Sequence, residues 1–502
     1  MGANLYSLIA DSAIKAGERS FLVENDRVRL AYDQLDAATG RYAQALAAAG
    51  AKPGDRLVVQ VEKSVENVLL YLAALRSGLI YVPLNTAYTP PELAYFISDA
   101  EPSLLICEPA RAEALAAAAG GIRCLTLDAH GQGTLADAAA AVPPMRFETI
   151  ERGPDDLAAI LYTSGTTGRS KGAMLSHDNL SSNALVLKDY WRWQPGDVLI
   201  HALPIYHVHG LFVALHGALL NGSTVLFHKG FDADKALADF AAATILMGVP
   251  TFYVRLAAHP GLTREACAKM RLFISGSAPL LVSTFEEFAT KSGHAILERY
   301  GMTEAGMITS NPYDGARIPG TVGYPLPGVS ARVCDERGVE MPRGEPGVLE
   351  INGPNLFKGY WRNPEKTAEE MRPDGYFITG DVATMADDGR VSIVGRAKDL
   401  IIAGGLNIYP KEIELAIDAV PGVTESAVIG VPHPDLGEGV VAVVTRQAGS
   451  DLDEPAVLAA IADKLARFKQ PRRIVFVDTL PRNQMGKVQK AALRDRYKDL
   501  FD

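Results

Sequence analysis

The chain has 502 residues, which corresponds to about three structural units at roughly 150 residues per domain. Apolar residues make up 48% of the chain and charged residues 22%, and the net charge is −10. This balance is typical of a soluble globular protein, and an acidic chain without a basic block excludes nucleic acid and anionic membranes as main partners. The N-terminal segment lacks a signal-peptide pattern, and no apolar run reaches the roughly 18 residues of a membrane span, so we expect a cytoplasmic protein.

The four cysteines, Cys107, Cys124, Cys267 and Cys334, lie far apart in the sequence. Their spacing fits neither a disulfide framework nor a zinc site. We therefore expect buried, reduced thiols.

Short apolar runs such as DRLVVQVE, LIYVPL, LAAILYT and RLFISGS alternate with helical patterns along most of the chain. This alternation predicts βα units and largely parallel sheets. Shorter strands with Gly-rich turns begin near residue 330 and are typical of a small antiparallel barrel. The predicted fold is α/β: a large N-terminal domain over residues 1–397, with two βα-type sheets and a small β-barrel subdomain, and a small mobile α+β C-terminal domain over residues 398–502.

The string YTSGTTGRSKG, at 162–172, follows an apolar strand and precedes a helical pattern. Its small residues allow the backbone to approach a polyphosphate, its N–H groups and hydroxyls can hold phosphate oxygens, and Lys171 adds a positive charge. It is not a Walker A loop, because the spacing GxxxxGK[ST] is absent. A flexible surface turn is the alternative interpretation.

Four further strings follow in order: RYGMTE (299–304), GYFITGD (375–381), GRAKDLIIAGGLNIYP (395–410) and PRNQMGKVQK (481–490). Together the five strings resemble the adenylate-forming superfamily of acyl-CoA synthetases, luciferases and peptide-synthetase adenylation domains, over essentially the whole chain. The resemblance implies an acid–thiol ligase that uses ATP and Mg²⁺ to convert a carboxylic acid into its adenylate and then transfers the acyl group to coenzyme A. Small-molecule substrates are thus the expected partners.

The resemblance also implies roles for single residues. The glycine-rich loop is similar to a cradle for the β- and γ-phosphates, a segment after the RLFIS strand to an adenine pocket, and Asp381 and Arg396 to the ribose contacts. The implied ATP-binding residues are Thr163, Ser164, Gly165, Thr166, Thr167, Gly168, Lys171, Gly276, Ser277, Ala278, Pro279, Glu298, Arg299, Tyr300, Asp381 and Arg396. Thr303 and Glu304 are similar to the pair that positions Mg²⁺, a hard cation that prefers oxygen ligands.

Lys487, in the fifth string, resembles the catalytic lysine of the family, and Thr303, Glu304 and His207 complete the implied catalytic set. The chemistry requires a cation, because a carboxylate must attack an anionic α-phosphate and two unit charges at 4 Å repel by about 4 kcal/mol at an effective dielectric of 20. Acetylation of Lys487 would remove the charge, so a lysine acetyltransferase and a deacetylase are further candidate partners. A solvated surface lysine is the alternative.

The family transfers the acyl group after its C-terminal domain rotates at a residue that corresponds to Lys398. The rotation brings in a loop similar to Gly404, Gly405 and Leu406, where glycines allow close approach to the pantetheine arm of CoA. A basic cluster is a candidate for the CoA phosphates, although a solvated charged face is an equal alternative. Its members are Arg467, Lys469, Arg472 and Arg473.

The predicted acyl pocket suggests a small polar acid. Its residues are Arg255, His207, Val208, Ser275, Met302 and Met307, and the strings around them resemble malonyl-CoA synthetases. His207 and the methionines leave little room for a long tail, and Arg255 is expected to bind the second carboxylate of malonate, although an exposed helical arginine is the alternative. Val208 stands where several relatives have Thr, so acceptance of methylmalonate and other 2-substituted malonates stays open.

Other functions remain as alternatives. A short fatty or aryl acid would make the protein another acyl-CoA synthetase, but its pocket should not bury an unpaired guanidinium. An adenylation domain would need a carrier domain, for which the chain has no room after Lys487. An ATP-sensing module would need neither Glu304 nor Lys487.

Overall fold

A computed structural model describes residues 4–118, 121–143, 146–163, 170–403, 406–465, 467–483 and 486–501. The predicted site residues Ser164, Gly165, Thr166, Thr167, Gly168, Gly404 and Gly405 lie outside the described residues.

The strands are numbered in chain order. They are β1 (Ser20–Glu24), β2 (Arg27–Ala31), β3 (Arg56–Gln60), β4 (Ile80–Pro83), β5 (Leu104–Cys107), β6 (Arg123–Thr126), β7 (Leu157–Thr163), β8 (Lys171–Ser176), β9 (Val198–His201), β10 (Thr224–Phe227), β11 (Ile245–Gly248), β12 (Leu272–Ser275), β13 (Leu297–Met302), β14 (Gly306–Ser310), β15 (Tyr324–Pro325), β16 (Ser330–Cys334), β17 (Gly347–Asn352), β18 (Phe377–Met385), β19 (Val391–Arg396), β20 (Ile401–Ala403), β21 (Leu406–Ile408), β22 (Val423–His433), β23 (Gly437–Arg446) and β24 (Arg473–Phe476).

The helices are numbered in the same way. They are α1 (Leu5–Ala16), α2 (Leu35–Ala48), α3 (Val65–Arg76), α4 (Pro90–Ala100), α5 (Ala112–Ala118), α6 (Thr134–Ala141), α7 (His177–Tyr190), α8 (Leu215–Asn221), α9 (Ala233–Asp239), α10 (Pro250–Ala258), α11 (Val282–Ser292), α12 (Pro364–Glu369), α13 (Pro410–Asp418), α14 (Glu454–Ile461) and α15 (Lys490–Tyr497). Short 3₁₀ turns cover Tyr32–Gln34, Pro109–Arg111 and Ala397–Asp399, and a π-helical turn covers His209–Ala214.

Two large sheets form the N-terminal part. The six-stranded sheet has the order β6-β5-β3-β4-β7-β8, and the nine-stranded sheet has the order β15-β14-β13-β12-β11-β9-β10-β1-β2. The central pairs of both are parallel, for example β3 with β4 and β11 with β12, and antiparallel pairs lie at the edges. Apolar runs between helices give parallel strands that are covered on both faces, so the predicted βα-type sheets are confirmed.

Two smaller sheets follow. The strands β16-β17-β18-β19 form an antiparallel sheet. An isolated bridge joins Val391, at the start of the edge strand β19, to Gly323, which directly precedes β15 of the nine-stranded sheet. A five-stranded sheet contains β20 to β24. The α/β fold class and its smaller subdomains therefore agree with the prediction, while the boundary between residues 397 and 398 stays a prediction.

The C-terminal sheet has a hydrophobic core on each face. Along β23, Val440, Ala442 and Val444 belong to one buried cluster, whereas Val441 and Val443 belong to another. This alternation follows from the two-residue period of a strand. Helices α13 and α14 cover the first face with Ile413, Ile417, Val457 and Ile461, and α15 covers the second with Leu493.

In a parallel sheet the strands all end at one edge, and loops at that edge hold most ligands. The segments after β9, β11, β12 and β13 contain the HVH, GVP, SGS and GMTE residues of the predicted pocket. Among the described residues, no helix is long and apolar enough to cross a membrane.

Candidate active site

The segments after β12 and β13 bring several predicted residues together. Ser275 is the last residue of β12 and lies opposite Glu298 in the parallel ladder. A Cβ atom at Gly276 would overlap the Arg299 guanidinium, so only glycine fits this position while Arg299 keeps its place. Ser277 has a positive φ of 70°, which turns the chain sharply after the strand. Ala278 and Pro279 follow at the more exposed end of this turn.

Arg299 is a buried arginine without an ionic partner in the described part of the chain. The residue is 3% exposed, and neither its Nε nor its Nη2 atom has a hydrogen-bond partner among the described residues. Burial lowers the pKa of Arg299 to about 9, while Tyr253 has the opposite effect. The side chains of Ser275 and His209, which are also buried, each have one polar atom without a partner. These groups can bind an anionic ligand.

Two histidines flank this arginine. The backbone N–H of His209 donates to Nδ1 of His207 over 3.3 Å, which assigns the proton of the neutral His207 ring to Nε2. Burial, with Arg299 and Lys487 nearby, lowers the pKa of His207 to about 4. Burial also holds the pKa of His209 well below its usual value, and Ser277 Oγ lies 3.2 Å from its Nδ1. Both rings are therefore neutral near pH 7 and add no charge beside Arg299.

The predicted pocket residues Val208 and Met307 belong to one buried hydrophobic cluster, and Met302 packs against it. Val208 is 4% exposed and borders a void of about 10 Å³, and Met307 is 2% exposed. Asn183 fixes the backbone of Met307, because its side chain donates to the Met307 carbonyl and accepts from the Met307 N–H. This part of the core is thus closely packed around β14.

Glu304 and Lys171 belong to one hydrogen-bonded array. The hydroxyl of Tyr360 lies 3.0 Å from Glu304 Oε1 and 2.6 Å from Glu370 Oε2. Lys171 Nζ donates to Glu370 Oε1 over 3.1 Å and sits 4.1 Å above the Tyr360 ring. Burial raises the pKa of Glu304, while hydrogen bonds from its own backbone and from Tyr360 oppose that shift. Thr303, next to Glu304, is partly exposed.

The antiparallel pairing of β18 and β19 places Asp381 directly opposite Arg396. Arg396 Nε lies 2.7 Å from Asp381 Oδ1, and the Tyr300 hydroxyl donates to Asp381 Oδ2 over 2.5 Å. Asp381 is 4% exposed, and each of its two oxygens has a defined donor. At the edge of the six-stranded sheet, Thr163 ends β7 and pairs with Lys171 at the start of β8.

Lys487 approaches this group from the C-terminal part of the chain. Its backbone N–H donates to Asn483 Oδ1 over 3.0 Å, which fixes the loop before α15. The surrounding protein lowers the pKa of Lys487, Arg396 adds to this effect and Asp381 opposes it, although the residue still reaches solvent. The charge of Lys487 also reaches His207. Residues from both parts of the chain therefore meet at one place.

An open cleft of about 560 Å³ lies beside these residues. Its lining combines segments after β3, β9, β10 and β11 with Arg482, Asn483 and Gly486 of the C-terminal part. Arg255 lines this cleft and is exposed, whereas Arg299 is enclosed. The structure thus separates the arginine that was expected to bind a second carboxylate from the buried polar group of Arg299, Ser275 and His209.

The residues predicted to contact CoA lie on the C-terminal part. Leu406 is 47% exposed. Lys469 forms an ion pair with Glu412 at 2.7 Å, and Arg473 pairs with Glu454 at 3.3 Å. These two cations already have acidic partners, which favours the alternative interpretation of a charged surface. Lys398 lies in the 3₁₀ turn Ala397–Asp399.

Sequence reasoning missed two members of the site, Tyr360 and Glu370. Their segment, KGYWRNPEKTAEE, has no glycine-rich run, and its charged residues of both signs are typical of a solvated surface. The only local signal is a tyrosine and a glutamate ten residues apart that flank the capped helix α12.

Family comparison decides the class of enzyme. A family described as AMP-binding enzyme matches residues 9–361, and the AMP-binding enzyme C-terminal domain matches residues 412–487. The chain belongs to the AMP-binding enzyme family. It is an acid–thiol ligase of the AMP-forming, acyl-CoA synthetase type.

Individual members of the AMP-binding family resemble the chain over nearly its whole length. The crystal structure of ATP-bound MatB from Rhodopseudomonas palustris is 57% identical and covers 100% of both chains, with a TM-score of 0.98. The apo structure of the same protein gives a TM-score of 0.87. A feruloyl-CoA synthase from Amycolatopsis is 37% identical over 95% of each chain, and the mitochondrial malonate–CoA ligase of Mus musculus is 36% identical over 88% of this chain and 82% of its own.

Proposed function

We propose that this enzyme is a malonate–CoA ligase. A carboxylate oxygen of malonate attacks the α-phosphorus of ATP, the bond to the bridging oxygen breaks, and pyrophosphate leaves. The thiol of CoA then loses its proton and forms a bond to the carbonyl carbon of malonyl-adenylate, and the bond to AMP breaks. The products are AMP, pyrophosphate and malonyl-CoA, and methylmalonate is a second substrate to test.

The observation that supports malonate is the enclosed Arg299. A buried, unpaired charge loses several kcal/mol of hydration, and an isolated guanidinium recovers it only when a carboxylate binds. The planar fork of Arg can meet both oxygens of a carboxylate at once. A diacid supplies one carboxylate for this arginine and keeps the other for adenylation, which an aliphatic or aryl monoacid does not.

The immediate surroundings of Arg299 favour the same ligand. Ser275 Oγ and His209 Nε2 lack hydrogen-bond partners among the described residues. A hydroxyl and a neutral imidazole can donate to a carboxylate without adding charge. The closely packed wall at Val208 and Met307 suits a three-carbon acid. The similarity of the chain to the malonate–CoA ligases of Mus musculus and Arabidopsis thaliana supports the proposal.

Arg299, rather than Arg255, is the anchor that we propose for the distal carboxylate. Both are arginines near the ends of parallel strands, but only Arg299 is enclosed and without an acidic partner among the described residues. An exposed guanidinium in a wide cleft gains little from pairing with a carboxylate, because water screens the interaction.

The other predicted residues fit an adenylation step. Lys487 places an ammonium where an attacking carboxylate and the α-phosphate both carry negative charge, so it offsets their repulsion and stabilises the charge that develops on the bridging oxygen. Glu304 is a buried carboxylate that would hold Mg²⁺ together with ATP oxygens, and this ion would neutralise phosphate charge. No cluster of three or more His, Cys, Asp or Glu side chains among the described residues could hold a metal without such help.

The test is CoA-dependent AMP release with malonate, methylmalonate, succinate, acetate, butyrate, benzoate and ferulate. Wild-type enzyme should prefer malonate. Arg299→Met should reduce kcat/KM for malonate by about two to four decades, because removing one partner of a buried charge pair costs roughly 3–5 kcal/mol. Since the arginine is unpaired without substrate, the melting temperature should not fall.

Arg255→Met is the matched comparison and should keep malonate turnover within about tenfold of wild type. A loss of malonate activity confined to Arg255→Met would move the anchor to the open cleft. If wild-type enzyme prefers ferulate, benzoate or butyrate, the diacid proposal is wrong and another acyl-CoA synthetase activity replaces it.

A further inference from the structure

The segment 357–361 connects the Glu304 turn to β8. The Phe357 N–H donates to the Glu304 carbonyl over 2.7 Å. On the other side, the N–H groups of residues 358 and 361 donate to β8 carbonyls over 2.8 and 2.7 Å, and the Met174 N–H donates to the Gly359 carbonyl over 3.0 Å. Gly359 has a φ of +103°, which gives the bend that this double attachment requires. The backbone that carries Tyr360 is therefore fixed from two sides.

The Tyr360 side chain lies between two carboxylates. The residue is 3% exposed, and its hydroxyl lies within hydrogen-bond distance of Glu304 Oε1 and Glu370 Oε2. A phenol has a single proton, so it donates to only one of the two oxygens at a time, and the carboxylate left without that proton needs its charge compensated elsewhere.

The lysines around Glu370 supply that compensation. Lys171 Nζ lies 3.1 Å from Glu370 Oε1, and Lys366 Nζ lies 3.2 Å from the same oxygen. Burial works against ionisation of Glu370, but the hydrogen bonds from Tyr360 and Lys171 outweigh it and lower the pKa of this carboxyl group. Glu370 is thus a stable anion that holds the Tyr360 hydroxyl on one side and Lys171 on the other.

The array matters because a free glutamate side chain has several rotamers. A buried hydrogen bond to one oxygen restricts Glu304 to one of them and leaves its second oxygen for a ligand. Positions of metal-binding carboxylates are commonly fixed by a hydrogen bond of this kind. The same array ends at Lys171, so it sets the distance between the Glu304 carboxylate, just after β13, and the Lys171 ammonium at the start of β8.

We propose that Tyr360 is a positioning residue that holds the Glu304 carboxylate for the magnesium ion accompanying ATP, with Glu370 holding the Tyr360 hydroxyl in turn. This inference rests on the proposed use of ATP and Mg²⁺. Tyr360 and Glu370 do not touch the reacting atoms; they act by fixing the position of the Glu304 carboxylate.

Calorimetric titration of ATP into enzyme without acid or CoA provides the test, because no reaction follows binding. For wild type, Mg²⁺ should strengthen ATP binding relative to EDTA. Tyr360→Phe removes only the hydroxyl and should raise the Mg²⁺ concentration that gives half of this strengthening by at least about tenfold. ATP affinity in EDTA should stay within about twofold, which a general loss of structure would not allow.

A tyrosine outside the site gives the matched control. The Tyr324 hydroxyl also lies between a carboxylate and a cation, donating to Asp388 over 3.1 Å and accepting from Arg390 over 2.7 Å. Tyr324→Phe should leave the Mg²⁺ dependence unchanged. Glu370→Ala, which withdraws the support of the hydroxyl, should raise the half-saturating Mg²⁺ concentration at least about threefold. Glu370→Gln should restore it, because the side-chain amide can donate to the Tyr360 oxygen and leaves the phenol proton for Glu304.

Unchanged Mg²⁺ dependence in both Tyr360→Phe and Glu370→Ala would overturn the inference, and so would an equal loss of ATP affinity in EDTA. Should Tyr360→Phe fail to fold, the pair Glu370→Ala and Glu370→Gln decides alone. If wild-type enzyme itself binds ATP equally with Mg²⁺ and with EDTA, the proposed role of the metal fails instead, which separates the two outcomes.

Discussion

Glu298, one residue before Arg299, is a buried carboxyl group with incomplete hydrogen bonding. It is 6% exposed, its Oε1 accepts from the Leu280 N–H over 3.3 Å, and its Oε2 has no partner among the described residues. Burial raises its pKa to about 7 from the ordinary value of 4.5. Between pH 4.5 and about 7, the Glu298 carboxyl group is therefore mostly protonated in the folded protein and mostly ionised in the unfolded chain.

The sign of the pH dependence follows directly. The folded state holds more protons than the unfolded state between about pH 4.5 and 7, so the contribution of Glu298 to the free energy of unfolding falls as pH rises through this range. Above pH 7 the ionised group destabilises the fold by about 3 kcal/mol, at 1.36 kcal/mol per pH unit of difference. Glu298→Gln should therefore raise the melting temperature at pH 8 and change it little at pH 5.

Differential scanning fluorimetry at both pH values measures this effect. Glu286→Gln, an exposed glutamate on α11, serves as the control and should behave alike at both. An equal change in melting temperature at pH 5 and pH 8 for Glu298→Gln would show that the carboxyl group titrates normally in the fold.

At the scale of elements, the sheet β16-β17-β18-β19 contains two cross-strand pairs of arginine and carboxylate. Asp381 faces Arg396 across β18 and β19, and Glu350 faces Arg332 across β17 and β16. Both carboxylates are buried, and both pairs have nitrogen–oxygen distances below 3 Å. Of the two pairs, the Asp381 pair lies beside Tyr300 and Lys487, and this position is the reason to expect a ribose contact at Asp381 and a structural contact at Glu350.

This comparison yields a prediction for nucleotide binding. Asp381→Asn should weaken AMP binding by at least about tenfold, because a hydrogen bond to a charged acceptor contributes roughly 1.5–3 kcal/mol. Glu350→Gln, which alters the equivalent pair, should lower the melting temperature but leave AMP affinity within about twofold. Calorimetry and thermal unfolding on both variants give the answer, and similar AMP affinities for the two would place the ribose contact elsewhere.

The sequence predicts helices and strands well where a single pattern of apolar residues dominates a segment. Apolar runs such as LLIC and ILMG become the parallel strands β5 and β11, since burial on both faces requires uninterrupted apolar residues. The conformation of the segment 357–361 could not be predicted, because it depends on hydrogen bonds to residues far away in the chain. Cys107 and Cys124 are another example: neighbouring strands bring their Sγ atoms to 3.2 Å, although the two residues lie 17 positions apart in the sequence.

The site shows the same division. Asp381, Arg396 and Lys487 lie together in the structure. The sequence could single them out because each stands in a short motif that is local in the chain. The proposal of Arg299 in place of Arg255 needed the structure, since helical spacing reports a face of α10 but not whether that face is open to solvent. Burial of Arg299 results from packing between two strands and the Gly276 turn, which a pattern along the chain does not contain.

The arrangement of the whole molecule corresponds to one of two states of a relative. The TM-score is 0.98 with ATP-bound MatB and 0.87 with apo MatB, although both have 57% identity to this chain. Equal identity means that a difference in conformation, and not in sequence, accounts for the two scores. In the arrangement seen here Lys487 is near Asp381 and Arg396, whereas Leu406 is exposed. This arrangement suits adenylation, and the rotation at Lys398 before transfer to CoA stays a prediction.

A designed disulfide tests whether that rotation is required. A Cβ atom at Gly486 would lie 3.9 Å from the Cβ of Thr251, within the 3.5–4.5 Å that a disulfide spans, and Thr251 lies on α10 of the N-terminal part. Oxidised Thr251→Cys/Gly486→Cys enzyme should still form the acyl-adenylate but should transfer the acyl group to CoA at least about a hundredfold more slowly. Reduction with dithiothreitol should restore transfer.

Single-turnover measurement of each step, before and after reduction, separates the two half-reactions. The φ of +73° at Gly486 strains any cysteine there, so Gly486→Cys alone and Thr251→Cys alone are needed as controls for adenylation. Because the four natural cysteines are free, mass spectrometry must show that the new pair has joined. Transfer to CoA at the wild-type rate in the cross-linked enzyme would mean that both steps occur in the arrangement seen here, and that Lys398 is not a hinge for catalysis.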